Sequence, residues 1–213
     1  IKYHPTDTNI VYAVENSIFY SSSDAGNTFT AIGGNGTSNL PAGTRAVIGV
    51  SVAAPDYVYV VLANNTYKGT YLSRDKGVNF VTKSTTPNIF DYSSDGSGTS
   101  TQAWYDMTVA VDTARFGTLY VGGVNIFRSL DSGATWTCYG HWVGSNAAPI
   151  HADQHQIRID TKTNKLYCGN DGGLYSRRPG ASSFTNLTSG LNISQIYRIG
   201  QSAQSPSIVI AGW

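Results

Sequence analysis

The sequence predicts an all-β fold in which one four-stranded sheet is built several times over. Three observations carry that expectation. An octapeptide rich in turn-forming residues recurs at a near-constant interval: Ser22 to Phe29 reads SSDAGNTF, Ser73 to Phe80 reads SRDKGVNF and Ser129 to Trp136 reads SLDSGATW. The runs around it are short, aromatic and β-branched, bounded by Gly, Pro, Asn and Asp, as strands are. No stretch shows an apolar pattern of helical period.

The octapeptide is a hairpin turn by its chemistry. Ser22, Ser73 and Ser129 open it. Asp24, Asp75 and Asp131 can accept hydrogen bonds from the backbone of their own turn, and Gly26, Gly77 and Gly133 can take a positive φ. Trp136 then opens the next strand with a large apolar side chain. A damaged fourth copy begins at Ser176: Arg178 replaces the Asp, Gly180 keeps its place, and the aromatic is delayed to Phe184. The aspartates and Arg178 are spaced by roughly 50 residues, the size of a four-stranded propeller blade.

Each unit follows the same order. A first β-rich run (Ala46 to Ala53, Met107 to Asp112, Gln156 to Asp160) is followed by a polar or Pro-containing turn. An aromatic strand comes next: IVYAV from Ile10, YVYVV from Tyr57, TLYVG from Thr118 and KLYCG from Lys165. A third strand (SIFYS, GTYLS, NIFRS, GLYSR) leads into the serine–aspartate turn and a fourth leaves it. The repeats fall at approximately 1–33, 46–84, 104–139, 151–187 and 195–213, which makes about four blades and part of a fifth. The expectation is therefore a β-propeller segment forming an incomplete ring, part of a longer chain or of a larger assembly. The links from Gly33 to Arg45, Ser84 to Ala103 and Gly140 to Ile150 are long and polar. The second contains DYSSDGSGTS, read here as flexible.

Bulk properties narrow the partners. The 213 residues are 40% hydrophobic and only 13% charged, with a net charge of +1, so nothing favours nucleic acid or an anionic membrane as partner. No run approaches a membrane span, and insertion is not expected. The start, IKYHPTDTN, lies inside a repeat, so any targeting segment is expected outside this sequence. Cys138 and Cys168 lack metal-ligand spacing. Repeat alignment puts them on an outer and an inner strand of different units, which favours separate thiols over a disulfide.

The octapeptides resemble the Asp-box (BNR) repeats of sialidases, sortilin-type receptors and xyloglucan-cleaving glycoside hydrolases. The structural residues of that motif would be Ser22, Asp24, Gly26, Ser73, Asp75, Gly77, Ser129, Asp131, Gly133 and Trp136. The resemblance implies hairpins at the outer edge of the blades, away from the active face. From Gln102 onward QAWYDMTVAVD, NIFRSLDSGATW, HADQHQIRID, GNDGGLYSR and GLNISQIYRIG are similar to secreted Bacteroidetes propeller proteins exported by the type IX system. That similarity implies a secreted or cell-surface location. Asp112-Thr113-Ala114 also fits the short O-glycosylation pattern of those bacteria.

In a propeller the innermost strands start beside the central channel, and the unusual residues gather there. Trp104, Tyr105 and Asp106 precede one inner strand; His151, Asp153 and His155 precede the next. Alternation would put His151, Asp153 and His155 on one side of an extended segment, a facial set for a metal ion; the alternative is a capping histidine with hydrogen bonds to the neighbouring blade. No other cofactor is expected. Asn170-Asp171-Gly172-Gly173 reads as an Asp-Gly hairpin turn, with Asp171 able to join Asp106 and Asp153 as acid and base for glycoside cleavage. Trp104, Tyr105 and Trp142 suit stacking on sugars if exposed, and burial under the loops if not. Tyr197-Arg198-Ile199-Gly200 superficially resembles a sialidase arginine motif but follows the turns instead of preceding them. Glu15 is the only glutamate, so sialidase chemistry is excluded and Arg198 is read as lining the channel or pairing with a neighbouring carboxylate.

Two functional expectations lead, with a metal-dependent hydrolase using His151, Asp153 and His155 ranked third. One is a module binding glycans or protein partners through its channel face, with Trp104, Tyr105, His151, His155, Asn170 and Arg198 as contacts. The other is a xyloglucanase-like hydrolase using Asp106, Asp153 or Asp171.

Overall fold

The computed structural model describes residues 1–15, 18–32, 40–190, 198–202, 204–205 and 207–212. The first sheet runs β1 (Lys2–Tyr3), β2 (Val11–Glu15), β3 (Ile18–Ser22) and β4 (Thr30–Ala31). The second runs β5 (Arg45–Val50), β6 (Val58–Asn64), β7 (Thr66–Ser73) and β8 (Val81–Ser84). The third runs β9 (Thr108–Val111), β10 (Leu119–Gly122), β11 (Ile126–Ser129) and β12 (Thr137–His141), with β13 (Ala148–Pro149) added in parallel to its outer edge. The fourth runs β14 (Gln154–Ile159), β15 (Leu166–Asn170), β16 (Gly173–Arg177) and β17 (Thr185–Asn186). A two-stranded sheet, β18 (Arg198–Gln201) with β19 (Val209–Gly212), follows. Within each of the four sheets, chain order is spatial order, and these are the blades of a β-propeller. None of its elements is a helix long and apolar enough to cross a membrane.

The first strand of each blade faces the axis. β5 contacts β1 on one side and β9 on the other, and β9 contacts β14. Residues of these four strands line two cavities, of about 220 and 250 Å³, that make up the channel.

Between blades the sheets are packed face to face. β6 shows why its sequence, VYVVLAN, is nearly all apolar. Val58, Val60 and Leu62 enter the core shared with the first blade, beside Tyr12, Phe19 and Phe80. Tyr59, Val61 and Ala63 point the other way into the core shared with the third blade, beside Val109, Val121, Phe127 and Trp136. A strand buried on both faces must be apolar at both alternating positions. Ile126, Ile150, Ile157, Leu166 and Cys168 fill the third interface.

The three serine–aspartate turns repeat one bonding pattern. The serine Oγ donates to the aspartate Oδ1 (2.7, 2.6 and 2.8 Å) and accepts the glycine N–H (2.9, 2.8 and 2.8 Å). The aspartate Oδ1 accepts the backbone N–H of Thr28, Asn79 and Thr135, and its Oδ2 accepts their side chains. These bonds to the charged form, led by those from Thr28, hold the Asp24 carboxyl down to about 2. The glycine and the residue before it both have positive φ, 58–63° at Ala25, Lys76 and Ser132 and 84–91° at the glycines. The glycine also lets blades close on one another. A Cβ on Gly77 would lie 2.2 Å from the Phe19 ring of the preceding blade, and one on Gly133 would lie 2.6 Å from Thr70. At the fourth copy Gly180 keeps its positive φ of 78°, but Ser176 Oγ is buried with no partner among the described residues. Arg177 takes over the tie to the third blade, stacking 3.8 Å from the Tyr139 ring centroid and donating to Tyr139 O at 2.7 Å.

Two expectations are corrected. Cys168 lies on the second strand of its blade, not the inner one; it and Cys138 are free thiols, pushed up to about 12 and 11 by burial. The link containing DYSSDGSGTS is a closed loop, not a loose tether. Asp91 is buried and accepts the N–H groups of Tyr92 (2.7 Å) and Gly98 (2.6 Å) and the hydroxyl of Ser93, while Ile89 and Phe90 sink into the core beneath. Composition suggested flexibility because Ser and Gly seldom pack; here they are the donors that one buried carboxylate needs.

Candidate functional site

The channel mouth is assembled from the starts of β9 and β14 and the β15–β16 turn. Gln102 O accepts the N–H groups of both Tyr105 (2.7 Å) and Asp106 (2.8 Å), a tight turn that leaves Trp104 and Tyr105 outside and drives Asp106 inward. Trp104 is 68% exposed and Tyr105 is 44% exposed, with ring centroids 5.6 Å apart. The Arg45 guanidinium, at the start of β5, donates to Trp104 O and braces the pair.

Asp106 is fully buried, and neither carboxyl oxygen meets a donor among the described residues. The charge that acts on it most is that of Asp153. Burial first, then the Asp153 charge, push Asp106 up to about 7 against a smaller opposing effect of His155. Asp153 Oδ1 in turn accepts Gln102 Nε2 at 3.2 Å. His155 Nε2 lies 2.7 Å from Asp171 Oδ1, and its ring stands edge-on to Tyr105 at 5.2 Å and 84°. Asp106, Asp153, His155 and Asp171, with Trp104 and Tyr105, thus form one cluster, and His155 also lines the upper cavity.

His151 does not join it. Asp153 adopts a left-handed φ of 65°, β14 begins only at Gln154, and the register with β15 shifts between Gln154 and Gln156. The alternation expected to align His151, Asp153 and His155 therefore fails. The His151 ring instead lies on Gly172, where a Cβ would come within 2.4 Å of it. Among the described residues no three His, Cys, Asp or Glu side chains converge as metal ligands, so the facial metal set is not formed.

Asn170 serves the turn itself. Its Nδ2 donates to His151 O and Gln154 Oε1, both at 3.2 Å, and its Oδ1 accepts Gly172 N–H at 3.1 Å. Asn170 pairs with Gly173 across a two-residue Asp171-Gly172 loop, the tight Asp-Gly hairpin that carries Asp171 to the mouth. The Arg198 side chain lies outside the described residues, although its backbone opens β18. Trp142, 46% exposed, is held by its indole N–H to Tyr92 O at 3.2 Å, away from the carboxylates. Thr113 Oγ1 is buried, so the Asp112-Thr113-Ala114 triplet does not present its hydroxyl.

Sequence reasoning missed Gln102, Gln154, Arg45 and Asn125. Asn125 is buried and donates to the carbonyls of Asp91 and Tyr92 (3.0 Å each) while accepting Trp142 N–H at 3.0 Å, which ties two of the long loops together. Gln102 was visible in the segment that opens the third repeat; the others carry no signal beyond being polar.

No family model and no curated protein matches the sequence. Solved structures do. A GH74 enzyme from Niastella koreensis superposes with a TM-score of 0.58 at 18% identity, covering 95% of this chain and 26% of its own. YCF48 bound to D1 peptide gives 0.54 at 13%, covering 95% and 61%. A chain of a nidogen/laminin complex gives 0.56 at 13%, covering 84% and 60%. These neighbours are β-propellers. At such identities they establish the fold and nothing finer, and the chain spans less than two thirds of the length of each.

Proposed function

We propose that the chain is a binding module: an Asp-box propeller segment, secreted or on the cell surface, that takes glycans or protein partners at its channel mouth. The observation that carries the reading is the exposed Trp104–Tyr105 pair beside the carboxylates of Asp153 and Asp171. An aromatic face matches the apolar face of a sugar ring, and carboxylates accept from its hydroxyls. The same pair suits a peptide with an aromatic or basic side chain. The solved neighbours include one carrying a bound peptide and one from a complex with laminin, which supports a propeller as a binding platform in general. Secretion and Asp-box membership rest on the repeat resemblance. A glycan array and a peptide-display screen with the wild-type chain test the reading. Binding lost in Trp104→Ala and Tyr105→Ala supports it; binding unchanged in both overturns it.

The second reading, a xyloglucanase-like hydrolase, has one observation in its favour: Asp106 keeps its proton near neutrality, as a general acid must. The Asp153 charge acts on Asp106 more strongly than the Asp171 charge does, and the two carboxyls of a glycosidase stand roughly 5–9.5 Å apart. The opposing carboxylate would then be Asp171. Release of reducing ends from xyloglucan, abolished by Asp106→Asn and by Asp171→Asn, would establish this reading over simple binding.

A further inference from the structure

Deeper in the channel the charge changes sign. Lys2, on β1, and Arg158, on β14, both line the cavity of about 250 Å³, together with Thr113, Thr161 and apolar side chains of β5, β9 and β14. No carboxylate lines either cavity among the described residues. Neither cation has a hydrogen bond or ion pair within the described chain. Burial and, second, the Arg158 charge lower the Lys2 ammonium from its ordinary value, so the two positive groups act against each other. Thr113 Oγ1, on the same wall, is buried without a partner among the described residues. Lys2 is half-buried, whereas Arg158 is exposed and keeps contact with solvent at the cavity wall; two like charges on one cavity repel each other, and an anion between them would relieve that repulsion.

We propose that the lower channel is a binding site for a tetrahedral oxyanion of phosphate or sulfate size, held between Lys2 and Arg158. The guanidinium offers two parallel donors to two oxygens, and the ammonium takes a third as a point charge. Rotation of Thr113 about χ1 would add a hydroxyl donor. The carboxylates at the mouth sit at the other end of the channel, so the site selects its ligand independently of whatever the aromatic pair takes. The group can arrive as the free ion or on a small ester, and the two sources are separable by experiment.

The test is thermal unfolding of the wild-type chain at constant ionic strength, with sodium chloride replaced by about 10 mM inorganic phosphate, sulfate, glucose 6-phosphate or glucose. An oxyanion is expected to raise the midpoint by a few degrees and glucose to leave it unchanged. A response to inorganic phosphate shows that the free ion suffices; a response to glucose 6-phosphate alone places the group on an ester. In either case the response must vanish in Lys2→Met and Arg158→Gln and survive in Lys2→Arg. Because removal of one cation relieves repulsion, Lys2→Met should unfold no earlier than wild type without oxyanion, so loss of response cannot be ascribed to misfolding. No oxyanion response in wild type, or an equal response in Lys2→Met and Arg158→Gln, overturns the proposal.

Discussion

Asp106 lies fully buried at the channel mouth with the Asp153 charge acting on it, and neither of its carboxyl oxygens meets a donor among the described residues. A carboxyl displaced upward to about 7 binds its proton more tightly in the folded state than in the unfolded chain. Its contribution to stability is complete below the unfolded value of roughly 4 and is lost as pH rises through about 7. Urea unfolding from pH 4 to 8 should therefore show stability falling by about 4 kcal/mol from this group. Asp106→Asn removes the titration while keeping the shape. Its stability should be flatter across that window and should exceed wild type at pH 8. A wild-type profile that rises from pH 4 to 7 with no change in slope in the variant would show that burial and the Asp153 charge do not raise the Asp106 carboxyl.

The aromatic pair should be separable from the fold. Trp104 is mostly in solvent and Tyr105 nearly half so. Truncation of either to alanine is expected to change unfolding free energy by less than about 1 kcal/mol and to weaken ligand binding by about tenfold or more, the size usual for a central aromatic contact. Paired measurement of urea midpoint and dissociation constant checks this. A large stability loss with Trp104→Ala would make the ring a structural cover.

The repeat made the architecture legible because each part of the octapeptide answers to a local rule. Ser, Asp and Gly at fixed offsets specify the turn by themselves, and two-faced apolar strands such as VYVVLAN require neighbours on both sides. The site was legible only where it followed from strand starts. Asp106, Asp153 and His155 fell together because the inner strands of two successive units meet at the axis. His151 did not, because one left-handed residue at Asp153 rotates the chain, and nothing in HADQH announces it. Gln102 and Asn125 act through loops brought together only by the fold, 51 and 34 residues from partners they bond. Local patterns carry no trace of such pairings.

Gly77 should be the least tolerant of the turn glycines. Its φ of 88° strains any L residue, and a Cβ would overlap the buried Phe19 ring of the preceding blade at 2.2 Å. Gly77→Ala is expected to cost about 2–4 kcal/mol. Gly180→Ala shares the backbone strain, at φ 78°, but has nothing within 4 Å of its Cβ, so its cost should be near 1 kcal/mol. Chemical denaturation of the two variants measures the difference, which isolates blade contact from backbone strain. Equal costs would show that the hairpins do not seal the blade interfaces.

The intact and damaged turns offer a matched pair of serines. Ser129 and Ser176 occupy the same place in successive blades, and both are buried. Ser129 Oγ donates to Asp131 at 2.8 Å and accepts the Gly133 N–H at 2.8 Å. Its removal leaves a buried N–H and one carboxylate oxygen short of a partner, at a cost of about 1–3 kcal/mol. Ser176 Oγ has no partner among the described residues, so its hydroxyl was desolvated without return. Ser176→Ala should therefore be neutral or slightly stabilising, within about 0.5 kcal/mol, since the same methylene packing remains. Urea titrations of both alanine variants against wild type measure the contrast. If Ser176→Ala destabilised as much as Ser129→Ala, the fourth turn would have a bonding partner of its own, and the serine would not be a relic of a pattern that Arg178 has broken.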